Sequence, residues 1–296
     1  MNRFEFGIMV ASLREDMRWT QLELAEKSGV DVSAISNIER GARRTLLKDN
    51  MLLKLADGLQ LTTMERQEFL CAASGVSESD TVRKENLRAK IHFDPAVFLK
   101  ELGGYIGCIP VPALVTDSFC DILLANQCAL EYYNTPATLI NDAHHVVGGY
   151  NMMRYVFHAD STFQDGIKDD QWEIHALINL RYFRKRTMRV RSKPYFSILL
   201  NELFNNKNYP SFERYWRKML FESYDYYSAP MGKPDPDNTN AVVGLESQLA
   251  VTPWGELYLQ QLLPMNKKTS KRFEKIMDKV GEGVTLFAPF PDRQKQ

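Results

Sequence analysis

The residues best suited to read a nucleic acid lie between positions 31 and 44 of this 296-residue chain. Four short side chains at helical spacing would share the outer side of one helix: Val32, Ser33, Ser36 and Asn37. An Asn amide can pair with adenine, a Ser hydroxyl with several bases, and a Val methyl group can touch the thymine methyl. Cations that could meet phosphates follow directly, at Arg40, Arg43, Arg44 and Lys48. The pattern therefore predicts base-edge contacts flanked by backbone contacts.

Two short helices joined by a tight turn would position these side chains. Thr20 and Glu23 have the spacing of a capping box, which starts a helix. Gly29 can adopt the left-handed conformation that ends this helix, and Asp31 can cap the second one. Apolar residues at helical spacing predict flanking helices within 6–17, 52–59 and 62–70. An ordinary helical hairpin in a core is the alternative interpretation.

The segment from Thr20 to Gly41 resembles the helix-turn-helix of phage-repressor-like, xenobiotic-response-element-type regulators, and the resemblance covers roughly residues 5–75. It implies that this region binds double-stranded DNA, that Gln21 binds a phosphate, and that outward residues of the second helix read bases. Together with the residue chemistry, it defines the predicted DNA-binding set: Thr20, Gln21, Val32, Ser33, Ser36, Asn37, Arg40, Arg43 and Arg44. Residues 1–75 carry ten cations and eleven anions. Non-specific affinity for DNA should therefore be modest.

Composition favours a cytoplasmic protein with room for two domains. Basic and acidic residues are equal in number, at 37 each, and 44% of the residues are hydrophobic. No stretch approaches the roughly 18 apolar residues of a membrane span, and the N-terminus has no signal-peptide pattern. The four cysteines lack metal-type spacing, so we expect reduced, mostly buried thiols at Cys71, Cys108, Cys120 and Cys128.

Signatures of catalysis and of metal binding are missing from the sequence. There is no Gly-rich phosphate loop, no Gly-x-Ser-x-Gly elbow and no credible Cys–His pair. The adjacent His144 and His145, with His158 and His175 further on, lack the Cys or paired carboxylates that would complete a metal site. We therefore expect no enzymatic activity, no metal and no cofactor.

The predicted fold class is α+β, with an all-α N-terminal domain of about five helices before a PAS-like domain that contains an antiparallel sheet. The predicted organisation is a helix-turn-helix domain at 1–75, a linker and connecting helix at 76–104, a PAS-like sensor or dimerisation domain at 105–265, and a C-terminal helix and tail at 266–296. Two short strands within 112–126, followed by a helix that Asn126 can cap, are typical of the start of such a domain. A dense basic run at 181–193 is interpreted as a solvated face, with a nucleic-acid contact or an acidic partner as alternatives.

The order of motifs over roughly 105–265 resembles the MmyB-like domain, a PAS-like ligand-binding module found behind such helix-turn-helix domains in bacteria. The residues that carry the resemblance are Pro112, Asp117, Asn126, the 151–157 stretch, Trp172, Glu173, Arg181, Phe212 and Trp216. It implies a buried pocket for a small apolar or amphipathic molecule, with a fatty acid as the family's suggested ligand. The candidate lining residues are Tyr132, Phe157, Trp172, His175 and Phe196, with Arg181 as a carboxylate anchor. Plain core packing is the alternative for each aromatic residue.

These observations predict a sequence-specific transcriptional regulator that binds a near-palindromic operator as a homodimer. Its C-terminal domain would sense a small apolar ligand such as a fatty acid. The alternative is a helix-turn-helix regulator whose C-terminal domain is a ligand-free dimerisation or protein-interaction module.

Overall fold

The computed structural model describes residues 1–42, 49–75, 94–165, 167, 169–221, 243–252 and 254–290. The N-terminal domain consists of α1 (Arg3–Asp16), α2 (Gln21–Ser28), α3 (Val32–Glu39), α4 (Asp49–Gly58) and α5 (Thr63–Ser74). Apolar side chains from all five helices pack into one core. The predicted flanking helices are thereby confirmed.

Local capping explains where the two motif helices begin and end. The Thr20 hydroxyl accepts a hydrogen bond from the Glu23 backbone N–H, and the Glu23 carboxylate accepts one from the Thr20 backbone N–H. Gly29 ends α2 with a φ of +62°, a left-handed conformation that favours glycine. The Asp31 carboxylate then accepts the Ser33 backbone N–H at 2.8 Å and starts α3. The predicted capping box and turn are confirmed.

The C-terminal domain alternates strands and helices. It begins with α6 (Pro95–Gly107), β1 (Ala113–Asp117), β2 (Ile122–Asn126) and α7 (Gln127–Tyr133). Its helical middle comprises α8 (Ala137–Asn141), α9 (Met152–Phe157), α10 (Asp169–Arg186), α11 (Pro194–Asn205) and α12 (Phe212–Phe221). It closes with β3 (Val243–Thr252), β4 (Gly255–Pro264), α13 (Lys267–Val280) and β5 (Val284–Leu286).

The five strands form one antiparallel sheet in the order β3-β4-β1-β2-β5. Every residue of β1 and β2 is buried, because helices cover both faces of the centre of the sheet. Asn126 ties the sheet to α7: its side-chain oxygen accepts the Ala129 backbone N–H, and its amide donates to the Ile109 and Val111 carbonyls. The predicted α+β class is confirmed. None of the described helices is both long and apolar enough to cross a bilayer.

The two domains share their cores at the contact between them. Met17, which follows α1, is buried among aromatic residues of the C-terminal domain, including Trp216. Met188, in a short 3-10 turn after α10, is buried in the N-terminal core. Each domain thus inserts a methionine into the core of the other. The two domains are therefore packed together through buried side chains.

Exposure separates the four cysteines and corrects the expectation of mostly buried thiols. Cys120 and Cys128 are buried, Cys71 is half-buried and Cys108 is exposed. Burial raises the pKa of Cys128 to about 12 and that of Cys120 well above its usual range. We expect a maleimide to modify Cys108 first, Cys71 more slowly, and the other two only after unfolding. Peptide mass spectrometry over time checks this order, and early labelling of Cys120 in the folded protein would contradict it.

Candidate functional site

The outer side of α3 is accessible in the folded chain. Val32 is 40% exposed and Ser33 is also exposed, whereas Ile35 and Ile38 are buried in the N-terminal core. Asn37 is half-exposed. The predicted division of α3 into an inner and an outer face is therefore confirmed.

A carboxylate at the end of α3 ties this helix to α1 and α2. The Arg14 guanidinium donates to both oxygens of Glu39, at 2.7 and 3.0 Å, and the Gln21 amide donates to Glu39 at 2.8 Å. Gln21, the predicted phosphate contact, thus uses one amide hydrogen inside the domain. Gln21 is the first residue of α2, and the N-terminal end of a helix attracts anions. These contacts of Glu39 hold α1, α2 and α3 together as one unit.

A second contact sets the orientation of the Asn37 amide. Arg40 Nη2 donates to Asn37 Oδ1 at 2.8 Å. Because a guanidinium can only donate, the amide atom that faces it must be the oxygen. The Asn37 N–H groups then remain available for an acceptor on a base edge. Arg43 and Arg44, the two other predicted backbone contacts, lie outside the described residues.

Four cations of the basic run at 181–193 pair with carboxylates of the N-terminal domain, and Arg186 packs on the sheet, so the interpretation of the run as a solvated face is wrong. Arg184 and Arg191 are only 3% and 1% exposed. Arg184 Nη1 lies 2.5 Å from Glu65 and its Nε lies 3.5 Å from Asp16, while Arg191 Nη1 lies 2.8 Å from Asp16. We call Asp16, Glu65, Arg184 and Arg191 the interdomain cluster. Two guanidiniums face two carboxylates, so the cluster is balanced in charge.

Ion pairs that are more exposed surround the interdomain cluster. Three of them join the domains: Arg189–Glu68 at 2.9 Å, Lys193–Glu5 at 3.7 Å and Arg18–Glu213 at 2.9 Å. Four carboxylates of the N-terminal domain are therefore paired with cations of the C-terminal domain. These contacts pair four acidic side chains but one basic side chain, Arg18, of the N-terminal domain, so its remaining surface is less acidic than the formal count of residues 1–75.

An apolar cavity of about 60 Å³ lies in the C-terminal domain, between the β1–β2 hairpin and helices α7, α9 and α10. Its apolar wall includes Leu114, Ile122, Ala129, Met152, Phe163 and Phe287. Its polar wall consists of Thr135, Tyr155, Ser161, His175 and Asn179. Among the described lining residues there is no Lys, Arg, Asp or Glu. The cavity therefore suits an apolar molecule with few polar atoms.

The Tyr155 hydroxyl is the polar group of this wall that points most directly to a ligand. It is buried, and no described group accepts a hydrogen bond from it, since the neighbouring Arg154 guanidinium can only donate. Burial raises the pKa of Tyr155, against a smaller opposing effect of the Arg154 charge, so the hydroxyl stays neutral. An unsatisfied buried donor is costly. A ligand that offers a hydrogen-bond acceptor would remove this cost.

Of the six residues predicted to bind a ligand, His175 lines the cavity. The other five lie outside its wall: Tyr132, Phe157, Trp172, Arg181 and Phe196. The Tyr132 ring packs edge-on against Phe273 of α13, at 5.5 Å between ring centroids. Phe157, Trp172 and Phe196 belong to the main aromatic core. The sequence-based prediction missed Leu114, Ile122 and Tyr155. The two-residue period of the hairpin was the available signal for Leu114 and Ile122, and the short helix after Asn151 was the signal for Tyr155.

Two family models match the sequence of this chain. A helix-turn-helix model matches residues 10–65, and a model described as the MmyB-like transcription regulator ligand binding domain matches residues 107–222. The chain joins a helix-turn-helix region to an MmyB-like ligand binding domain. Its MmyB-like domain contains every lining residue of the cavity except Phe287, and it also supplies Arg184 and Arg191. No curated protein matched the sequence. Both resemblances inferred from the sequence are confirmed.

Proposed function

We propose that this regulator binds a near-palindromic DNA operator as a homodimer, and that an apolar ligand in the cavity of its MmyB-like domain changes its affinity for DNA. One observation carries the proposal most directly. The outer face of α3 is exposed while the N-terminal domain is docked, through α1 and α5, on the MmyB-like domain. The docked form can therefore meet DNA without rearrangement.

A homodimer joined through its C-terminal domains would present two α3 helices to one side of the duplex. Such a pair reads half-sites about one helical turn apart, or roughly 34 Å. Selection of bound fragments from random DNA at low salt tests this. We expect an enriched inverted repeat, and recovery of unrelated sequences without any shared motif would contradict sequence-specific binding.

The lining of the cavity favours a neutral ligand. In a widened cavity the chain of a fatty acid would meet the apolar wall, but its carboxylate would meet no cation among the described lining residues. Burying an unpaired carboxylate is very unfavourable. We therefore propose that the ligand binds in an uncharged form, as an acid that keeps its proton or as an ester or alcohol, and accepts a hydrogen bond from Tyr155.

Ligand entry requires the wall to move. The volume of about 60 Å³ is far below the roughly 300–1,000 Å³ of typical ligand pockets. Phe287 follows β5, which pairs with β2 over only three residues at the edge of the sheet. We infer that this terminal segment gives way first.

A matched pair of ligands tests the proposed chemistry. At pH 7 we expect methyl decanoate to bind more tightly than decanoic acid, and the difference to shrink as the pH falls and the acid gains its proton. Tyr155→Phe keeps the ring and should weaken ester binding by about 0.5–1.5 kcal/mol, the usual value of one hydrogen bond. Isothermal titration calorimetry on the full chain measures both effects. Tighter binding of the acid at pH 7 would contradict the neutral site, and binding of neither molecule would favour the ligand-free interaction module.

One helix connects the cavity to the N-terminal domain. Helix α10 carries His175 and Asn179 in the cavity wall and Arg184 in the interdomain cluster. Asn179 and Arg184 are separated by roughly 7.5 Å along the helix axis. A ligand changes DNA affinity only if it binds one arrangement of the domains better than another. A shift of α10 on ligand entry would provide that difference.

A further inference from the structure

We propose that the interdomain cluster determines the half-site spacing that the operator must have. This inference rests on the proposed homodimeric binding to DNA. It assigns to Asp16, Glu65, Arg184 and Arg191 a positioning role in recognition, although none of them belongs to the outer face of α3.

The interdomain cluster holds α1, α2 and α3 in place, and α3 carries the residues predicted to contact bases. Asp16 is the last residue of α1, and the capping residue of α2, Thr20, follows four positions later. Since Glu39 binds both Arg14 and Gln21, α3 follows the orientation of α1 and α2. A contact that fixes the position of Asp16 therefore also fixes the orientation of α3.

Each carboxylate of the cluster is constrained from two sides. Glu65 Oε2 accepts the backbone N–H and the hydroxyl of Thr62, at 2.8 and 3.0 Å, while Oε1 binds Arg184. Asp16 Oδ2 is shared between Arg184 and Arg191. A rotation of one domain on the other would break either the cap of α5 or a buried ion pair. Displacing one partner of a buried ion pair is costly, because it leaves the charge of the other partner buried without compensation.

The apolar part of the contact does not impose such a limit. Met17 and Met188 are flexible, unbranched side chains, and although the Trp19 ring also packs against both cores, apolar contacts are non-directional. The directional component therefore comes from the ion pairs. With the cluster intact, each N-terminal domain has one orientation, and a dimer has one separation of its two α3 helices.

DNA geometry turns a fixed separation into a spacing requirement. Adding two base pairs between half-sites moves one of them by roughly 7 Å and turns it by about 70°, since B-DNA rises 3.4 Å per base pair and repeats every 10–10.5. A rigidly docked dimer cannot follow this change. A dimer whose N-terminal domains pivot can follow it.

The test uses the full chain and an operator series in which the selected half-sites are moved by one or two base pairs. We expect the natural sequence to lose at least about tenfold in affinity at a displacement of two base pairs. Asp16→Asn should lose less than about threefold, because it leaves Arg184–Glu65 as the one pair of the cluster, and the N-terminal domain can pivot about that single point. Arg189→Gln, which removes a half-exposed pair outside the cluster, should keep the natural preference. An equally sharp preference in Asp16→Asn would overturn the proposal.

Two additions keep the test decisive. If Asp16→Asn does not fold, the double variant Asp16→Asn with Arg191→Met removes the pair without leaving a buried charge. Spin labels at the exposed positions Leu53 and Ile198, in a background without native cysteines, report the interdomain distance directly. We expect one narrow distance in the natural cluster and a broad distribution in the variant, and a distance that stays narrow would also overturn the proposal. Failure to select any inverted repeat would instead contradict the proposed function, so the two failures are distinguishable.

Discussion

Replacing Arg184 by Met should lower the free energy of unfolding of the full chain by about 3–5 kcal/mol. The side chains of Arg184 and Glu65 are 4% and 3% exposed, so removal of the guanidinium leaves the Glu65 carboxylate buried without its partner. Breaking a buried pair by removing one member is strongly destabilising, even where the pair itself contributes little net stability. Urea denaturation followed by tryptophan fluorescence measures the loss.

A matched variant on the same surface distinguishes burial from charge. Arg189→Met removes the pair with Glu68, whose side chains are 18% and 22% exposed, and should cost at most about 1 kcal/mol. Adding Glu65→Gln to Arg184→Met should recover part of the loss, because the amide oxygen still caps α5 while the uncompensated charge is gone. Equal losses for Arg184→Met and Arg189→Met would show that the buried cluster has no special role in stability.

Features that depend on a few consecutive residues could be predicted from the sequence. Thr20 with Glu23, Gly29, Thr62 and Asn126 mark helix ends through contacts within three or four residues of themselves. The hairpin of β1 and β2 follows from two short apolar runs with a turn between them. The fold class and both family resemblances rest on such local signals.

Features that depend on distant partners could not be predicted. Arg184 finds its carboxylates 119 and 168 positions away in the chain, and nothing in a basic run indicates which surface will face it. The predicted ligand residues differ from the wall of this cavity for a related reason. Aromatic side chains such as Trp172 fill the main core, whereas the cavity forms where smaller residues of several elements meet. A cavity is a property of packing, so composition alone does not locate it.

The charge of the N-terminal domain illustrates the difference between what a local sequence count predicts and what contacts with distant residues determine. Counted alone, residues 1–75 have one more anion than cation, which argues for weak binding to DNA. In the structure, Asp16 and Glu65 point into the contact with the MmyB-like domain and are neutralised there. The acidic residues thus serve the contact between domains, while Arg40 lies beside the outer face of α3.

The second large effect is expected at Asn37. Asn37→Ala should cost about 1–3 kcal/mol at the selected operator and relax the sequence preference at one base position. The reason is the fixed amide, whose oxygen faces Arg40 and whose N–H groups are available to a base. Binding to operator variants substituted at each position, measured by fluorescence anisotropy, shows which position loses its preference.

Arg43→Ala is the matched control, because Arg43 is a predicted phosphate contact. It should weaken binding to all sequences alike and reduce the slope of log K against log salt concentration by about 0.9, the value for one lost phosphate contact. The two variants should therefore differ in kind: one changes which base is preferred, and the other changes the salt dependence. If Asn37→Ala weakens every sequence by the same factor and leaves all base preferences intact, Asn37 does not read a base.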